Sequence, residues 1–388
     1  MTVPASRARR RPSTAGRLLP MLLVPALLVP LAVLFGQSWR STSDAREQVA
    51  AERLGVEYLR ALAPVTDALV DAQTAAVTGR PVSGDALTRS VETVATVDAR
   101  IGGELRTQER WAGLRAKIEG LRDRKPADPE TAYSAYGEVA DLLLALQRKV
   151  RETSGLIHTP ETDSYFLQDG IGEELPEAVV AAGRLADLTV LATRRPEDQQ
   201  PRTSAELAAL RYAAIAAADT LVANLRAAVD RSESTNLGAT VLDPLDTYQR
   251  AVEALAAYST PAGADGTVNP IRLAAARSAA QAAARQLQPV ILAELDALLA
   301  DRLDRLDRDR WLTVGAGATA VLLMAALALL AAHRHRSRRA ARAPATPGGQ
   351  VVPVAPADWQ PPGEPLVLQP VGPARAAETT WGPFDAAR

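Results

Sequence analysis

Five side chains between positions 158 and 169 can together bind a small polar ligand. An imidazole, two carboxylates and two hydroxyls offer both hydrogen-bond donors and acceptors, the mixture that small-molecule sites use to orient a ligand. The same groups can instead cap a helix and hydrogen-bond across its first turn, because Thr159 and Pro160 are typical of a helix start. This capping interpretation needs no ligand, and it is the one we favour. The five residues are His158, Asp163, Ser164, Tyr165 and Asp169.

The rest of the chain does not indicate catalysis. Of the three histidines, His158 alone lies outside a basic run near the C-terminus, and the chain has no cysteine. A histidine-based zinc site or a histidine pair therefore cannot form around it within one chain. A glycine-rich phosphate loop is missing, and a net charge of −1 gives no basic surface for nucleic acid. We expect no enzyme activity, no metal, no cofactor and no nucleic-acid partner.

The spacing of apolar residues predicts that helices position these side chains. Leucine and valine recur at steps of three and four, and aromatic residues make up only 4% of the chain. A core built from leucine, valine and alanine favours packed helices over a sheet. The sequence predicts an all-α fold with helices at about 41–78, 85–121, 130–153, from the stretch 154–169 to about 193, 204–232, 243–258, and from 271 onward.

Two uncharged apolar segments predict membrane anchors. Residues 18–36 follow a basic run, and residues 311–332 precede another. The second segment is about 33 Å long as a helix, enough to cross a bilayer. The positive-inside rule then places both termini in the cytoplasm, with Trp39 and Trp311 at the outer ends of the spans. A cleaved signal peptide is the alternative for the first segment.

Only three of the 44 basic residues are lysine, a bias typical of GC-rich bacterial genomes, so we expect a bacterial inner-membrane protein. The topology divides the chain into five parts. These are a basic cytoplasmic tail (1–17), a first transmembrane helix (18–38), an extracytoplasmic helical domain (39–310), a second transmembrane helix (311–332), and a basic, then proline-rich cytoplasmic tail (333–388).

The last helix is predicted to run without a break from the outside domain into the second span. Its leucines follow a coiled-coil-like spacing at Leu292, Leu295, Leu299, Leu303 and Leu306. Small residues also recur every four positions in the span, which permits close helix pairing and makes a homodimer possible. A stiff helix of this kind would couple the outside domain to the membrane.

The C-terminal tail is predicted to be extended and disordered. Ten prolines lie between Pro344 and Pro383, and such a segment cannot bury a core. Trp359, Trp381 and Phe384 could dock on a groove of a partner protein. The alternative is a tail that is merely solvated.

One stretch resembles the extracytoplasmic helical sensor region of bacterial chemoreceptors, histidine kinases and diguanylate cyclases. That family often carries the pattern S-G-L-x-L-D-P-D-x-D-S-Y-Y-L-M-D, followed shortly by L-P. The resemblance covers about residues 40–332, and it implies one elongated helical bundle or two stacked four-helix bundles. The matching residues are Ser154, Gly155, Leu156, Pro160, Asp163, Ser164, Tyr165, Phe166, Leu167, Asp169, Leu175 and Pro176.

The departures from the family pattern shape the functional hypothesis. The first acid of the pattern is lost within Ile157–Glu161, and no output module follows the second span. We therefore expect a sensor-like membrane protein that binds a ligand or partner outside. Its state would pass to a separate cytoplasmic or membrane signalling protein. The alternative is a structural or adaptor protein of the cell envelope that does not sense.

Overall fold

The computed structural model describes residues 15–81, 84–124, 126–157, 162–231, 235–261 and 267–340. Within these ranges the chain is helical and contains no β-strand, which confirms the all-α class. The helices are α1 (Ala15–Thr78), α2 (Gly84–Ile101), α3 (Gln108–Asp123), α4 (Pro129–Ser154), α5 (Thr162–Asp169), α6 (Leu175–Ala192), α7 (Gln200–Arg231), α8 (Thr235–Tyr258) and α9 (Pro270–Ala340). A π-helical turn (Gly170–Glu174) joins α5 to α6, and a 3₁₀ turn (Glu197–Gln199) precedes α7.

The chain divides into two compact units, Met1–Met324 and Ala325–Arg388. In the second unit, the residues that the structure describes are 325–340, and they belong to α9. All contacts discussed below lie within the first unit.

The core of the first unit is built almost entirely from leucine, valine and alanine. Each of its long helices contributes, and α1 packs against α2, α4 and α6. Two tyrosines, Tyr58 and Tyr248, are the largest fully buried side chains. Burial of these aliphatic side chains is the main source of stability, because each removes apolar area from water. Fully buried examples from five helices are Leu62, Leu143, Leu221, Leu245 and Leu287.

The predicted single helix over 85–121 is wrong, because the structure has two helices there. Helix α2 ends at Ile101, and α3 begins at Gln108. Asp98 explains the break: its carboxylate accepts hydrogen bonds from Tyr58 (2.7 Å) and Thr107 (2.8 Å). A side chain at Gly102 would collide with that carboxylate, so glycine is needed at the turn.

Two predicted helix starts are also wrong. Helix α8 begins at Thr235 rather than near 243, and Pro244 lies inside it. An interior proline costs roughly 3 kcal/mol. Burial of Leu237, Val241 and Leu245 on one face of α8 offsets that cost. Helix α7 begins at Gln200 rather than at about 204.

Helix α4 agrees with the prediction over 130–153 because its ends carry strong local signals. The Asp128 side chain accepts from the backbone N–H groups of Glu130 (3.0 Å) and Thr131 (2.9 Å). Gly155 ends the helix with φ = 83°, in the left-handed region that glycine enters without strain.

The two longest helices, α1 and α9, contain the apolar segments identified in the sequence. Among the residues searched, α9 is the one helix long and apolar enough to cross a membrane by length and composition, over Pro270–Leu330. The side chains of residues 15–27 lie outside the described part, so the first predicted span stays a prediction. The predicted leucine seam of α9 faces inward: Leu292, Leu295 and Leu299 are buried in the chain's own core.

Candidate functional site

The structure brings one of the five predicted site residues into a polar cluster. His158 lies outside the described residues, and so do the side chains of Asp163 and Ser164, whose backbone belongs to α5. The Tyr165 ring is 40% exposed and meets the neighbouring Phe166 ring edge-on at 5.4 Å. Of the two predicted residues whose side chains the structure describes, Asp169 contacts other charged groups, as described next.

Asp169 belongs to a cluster organised by a buried arginine. Arg151 of α4 is 6% exposed, and its guanidinium donates to Asp169 at 2.7 Å and to the Glu173 carboxylate. The other Asp169 oxygen accepts from Asn224 of α7 at 3.0 Å. We call Arg151, Asp169, Glu173 and Asn224 the Arg151 cluster. It ties α4, α5, the π-helical turn and α7 together with charge-assisted hydrogen bonds.

The π-helical turn is what gives Arg151 room. A side chain at Gly172 would overlap the Arg151 stem, so only glycine allows the arginine to lie flat against the turn. Pro176, two residues into α6, cannot donate a hydrogen bond and would crowd the carbonyl of an ideal helix. The wider turn takes up that strain, and the helix continues through to α6. Turns of this kind are frequent at functional sites.

The last residue of the turn carries a carboxyl group with a raised pKa. Burial, together with the negative charges of Asp169, Glu173 and Glu177, raises the pKa of Glu174 to about 7. Burial and Glu173 also raise the pKa of Glu177. Glu174 can therefore hold or release a proton at neutral pH. Within the described residues, no group of three histidine or acidic side chains could hold a metal ion.

Two further buried carboxylates join helices to α1 through neutral donors. Asp187 of α6 is 1% exposed and accepts from Gln73 (3.0 Å) and Thr74 (2.7 Å). Burial raises its pKa to about 6. Asp98 of α2 accepts from Tyr58 of α1, as described above. Both carboxylates fix the position of a helix against α1.

Side-chain contacts join α1 to α9 along the parts of these helices that lead to their apolar segments. The ion pairs are Arg46–Asp307 (3.0 Å), Arg53–Asp296 (3.1 Å) and the more buried Glu52–Arg302 (3.8 Å). The partner number on α9 falls as the number on α1 rises, so the two helices are antiparallel.

Aromatic contacts continue beyond the ion pairs. The Arg310 guanidinium lies 4.3 Å from the centre of the Trp39 ring, which also stacks on Phe35 at 6.3 Å. A side chain at Gly317 would approach the Phe35 ring at 2.9 Å, so the helices are close there too.

The Arg151 cluster was not anticipated from the sequence, although a signal for it exists. Arg151 lies four residues after Gln147 and eight after Leu143, on the face of α4 that is buried. An arginine in that register must have buried partners, because an isolated buried charge is prohibitive. The sequence does not say which acids pair with it.

The predicted partner-binding residues of the tail, Trp359, Trp381 and Phe384, lie outside the described residues. No protein-family model, curated protein or solved structure matches the chain. The resemblance to the helical sensor regions therefore stays a prediction that rests on the residues quoted for it.

Proposed function

We propose that this chain is a two-pass membrane protein whose helical outside domain senses a ligand or partner. It would pass its state to a separate signalling protein through α9. The observation that carries the proposal is the pairing of α1 with α9. Contacts run from Asp71–Arg277 (3.0 Å) to Phe35 beside Gly317. At about 1.5 Å per residue, the paired segments are roughly 55 Å long.

The exposed apolar side chains near the ends of this pair support a membrane location. Val29, Val33 and Leu34 of α1 are each at least 60% exposed. On α9, a set of large apolar side chains is exposed to a similar degree. Soluble monomers rarely expose so large an apolar surface, whereas lipid would cover it. The α9 set is Leu312, Val321, Leu322, Leu323, Leu327, Leu329 and Leu330.

The position of α1 supports a single bundle over two stacked ones. Helices α2, α4 and α6 pack around α1, and the polar contacts described above add α9. A change at any of these helices therefore acts on α1 or α9 directly. In this proposal the exposed ion pairs between α1 and α9 break and re-form, while the apolar core stays packed.

Accessibility of engineered cysteines tests the two-pass topology. The chain has no cysteine of its own, so each introduced thiol reports alone. We expect a membrane-impermeant maleimide to label Tyr212→Cys, at a 76% exposed position, on spheroplasts. It should label Ser337→Cys only after permeabilisation. Equal labelling of both sites on intact spheroplasts would contradict the topology.

A kinase fusion tests the sensing role itself. Residues 1–342 are joined to a known histidine kinase core, and autophosphorylation is measured against a panel of membrane-impermeant small molecules. The matched control carries Arg46→Cys and Asp307→Cys, which an oxidant can cross-link to fix α1 against α9. We expect a response that cross-linking abolishes. No response to any compound, or a response that survives cross-linking, would count against the proposal.

A further inference from the structure

A cavity of about 280 Å³ lies between α2, α3 and α4. Its apolar wall is formed by Leu87 and Val91 of α2 with Ile118 and Leu121 of α3, and Tyr136 of α4 completes it. Well-packed protein interiors contain few voids larger than a water molecule. This space is therefore large enough to be a binding site rather than a packing defect.

The cavity lies at one end of a helical hairpin whose other end is fixed. Helices α2 and α3 are antiparallel neighbours, and Asp98, Thr107 and Tyr58 hold the turn between them. The cavity is lined instead by the first half of α2 and the second half of α3. Helices α2 and α3 are thus separated by the cavity at the end of the hairpin opposite their connecting turn.

One polar group in the cavity wall has no protein partner. Tyr136 is 5% exposed, and its hydroxyl makes no hydrogen bond with any other residue that the structure describes. The hydroxyl is open to the cavity rather than enclosed in the core. A bound molecule with one hydrogen-bonding group would satisfy this hydroxyl.

The charged groups around the opening balance one another. Arg115 and Arg122 stand with Glu92 and Glu119, and Arg115 donates to Glu119 at 2.8 Å. Two cations beside two anions give no net attraction for an ion of either sign. The site therefore suits an uncharged ligand.

We propose that this cavity binds a small uncharged molecule with an apolar ring system or branched chain and one polar group. The apolar part would contact Leu87, Val91 and Ile118, and the polar group would hydrogen-bond with the Tyr136 hydroxyl. An apolar cavity of about 150 Å³ accommodates benzene, so this one suits about ten to twelve heavy atoms. The inference deepens the proposed function, since it gives the sensor a ligand class, but binding is measured without any signalling output.

Binding here would act on the helix that leads to the membrane. A ligand that fills the space fixes α2 against α3 and α4. Asp98, near the end of α2, bonds to Tyr58 of α1, so a shift of α2 reaches α1.

The test uses 1-naphthol, an uncharged bicyclic aromatic of suitable size with one hydroxyl, and naphthalene as its match without a polar group. Calorimetry is done on the full chain in nanodiscs, with empty nanodiscs as the reference. We expect saturable binding of naphthol. Tyr136→Phe should weaken naphthol binding about five- to tenfold, the effect of one neutral hydrogen bond, and leave naphthalene binding unchanged. Tyr212→Phe, at an exposed tyrosine, should change neither.

A cavity-filling variant locates the site independently. Val91→Phe should reduce naphthol affinity at least about tenfold by occupying the space, whereas Thr93→Phe on the exposed face of the same helix should not. Circular dichroism shows whether each variant is folded. If Val91→Phe does not fold, the Tyr136→Phe comparison decides. Absence of saturable binding at about 1 mM naphthol, or binding unaffected by Tyr136→Phe, would overturn the inference. Binding without a response of the kinase fusion would instead count against the proposed function alone.

Discussion

Two sets of ion pairs in this molecule differ in how deeply they are buried. In the Arg151 cluster the arginine side chain is 6% exposed, whereas both partners of Arg46–Asp307 and Arg53–Asp296 are more than a third exposed. A buried cation that loses its partners cannot regain its hydration, but an exposed pair exchanges its contacts for water at little cost. The difference indicates that the Arg151 cluster holds α4, α5 and α7 rigidly. The two exposed pairs restrain α1 and α9 only weakly, and Glu52–Arg302 is the buried ion pair between these helices.

The largest expected effect comes from removing the buried cation. Arg151→Ala leaves Asp169 and Glu173 facing each other without a counter-charge, and we expect the free energy of unfolding to fall by about 3 kcal/mol. Chemical denaturation monitored by circular dichroism measures it. Arg148→Ala is the control, because Arg148 is 51% exposed where it pairs with Glu177, and it should cost less than about 1 kcal/mol. Equal losses in the two variants would remove the contrast between the two sets.

A buried carboxylate held by neutral donors should respond to pH. The pKa of Asp187 is about 6 in the folded chain against a usual 3.8, so the folded state binds the proton more tightly than the unfolded state. Its contribution to stability is therefore greatest below about pH 4 and is lost as the pH rises through 6. Relative to Asp187→Asn, the wild-type free energy of unfolding should fall by roughly 2 kcal/mol between pH 4 and 7.5. A difference independent of pH would show that Asp187 stays ionised.

The next effect tests the fit between Arg151 and the π-helical turn. Gly172→Ala places a methyl group against the Arg151 stem, and we expect a loss of about 1–2 kcal/mol in thermal or denaturant unfolding. Gly120→Ala is the matched control, because nothing lies within 4 Å of the added methyl group. That control should be neutral or stabilise α3 by up to about 1 kcal/mol. A tolerated Gly172→Ala would mean that the arginine has space to move.

The smallest effect is expected along α1 and α9. Arg53→Ala removes an exposed pair and should change the free energy of unfolding by less than about 0.5 kcal/mol. The same denaturant series measures it beside Arg151→Ala. A loss above about 2 kcal/mol would mean that this exposed pair holds α1 against α9 as firmly as a buried one. That result would contradict the movement of α1 against α9 that the proposed function requires.

Parts of the fold with strong local signals were predictable from sequence. The end of α1 at Thr78 and both ends of α4 were correctly predicted, because Gly79, Pro129 and Gly155 punctuate the apolar pattern. The break between α2 and α3 was missed, since it depends on Asp98 accepting a hydrogen bond from Tyr58 forty residues earlier. The start of α8 was placed too late, because burial of its apolar face outweighs the local penalty of Pro244 inside it.

The candidate site was less predictable than the fold, for a related reason. Asp169 was identified from its type and its position in the matched stretch, but its partners come from α4 and α7, 18 and 55 residues away. Tyr136 gave no signal, because only the placement of α3 leaves its hydroxyl unpaired beside a cavity. Patterns along the chain indicate which faces are buried, and they do not indicate which polar groups meet inside.

The stacking of Arg310 on Trp39 allows intrinsic tryptophan fluorescence to report on the contact between α1 and α9. Indole emission responds to a cation held against the ring, and here that cation comes from the other long helix. Trp111 is enclosed in the core and Trp311 is 76% exposed, so neither has a comparable neighbour to lose. Sliding of α9 along α1 would separate the guanidinium from Trp39 and change its fluorescence, giving a label-free readout at the level where the chain is proposed to enter the lipid.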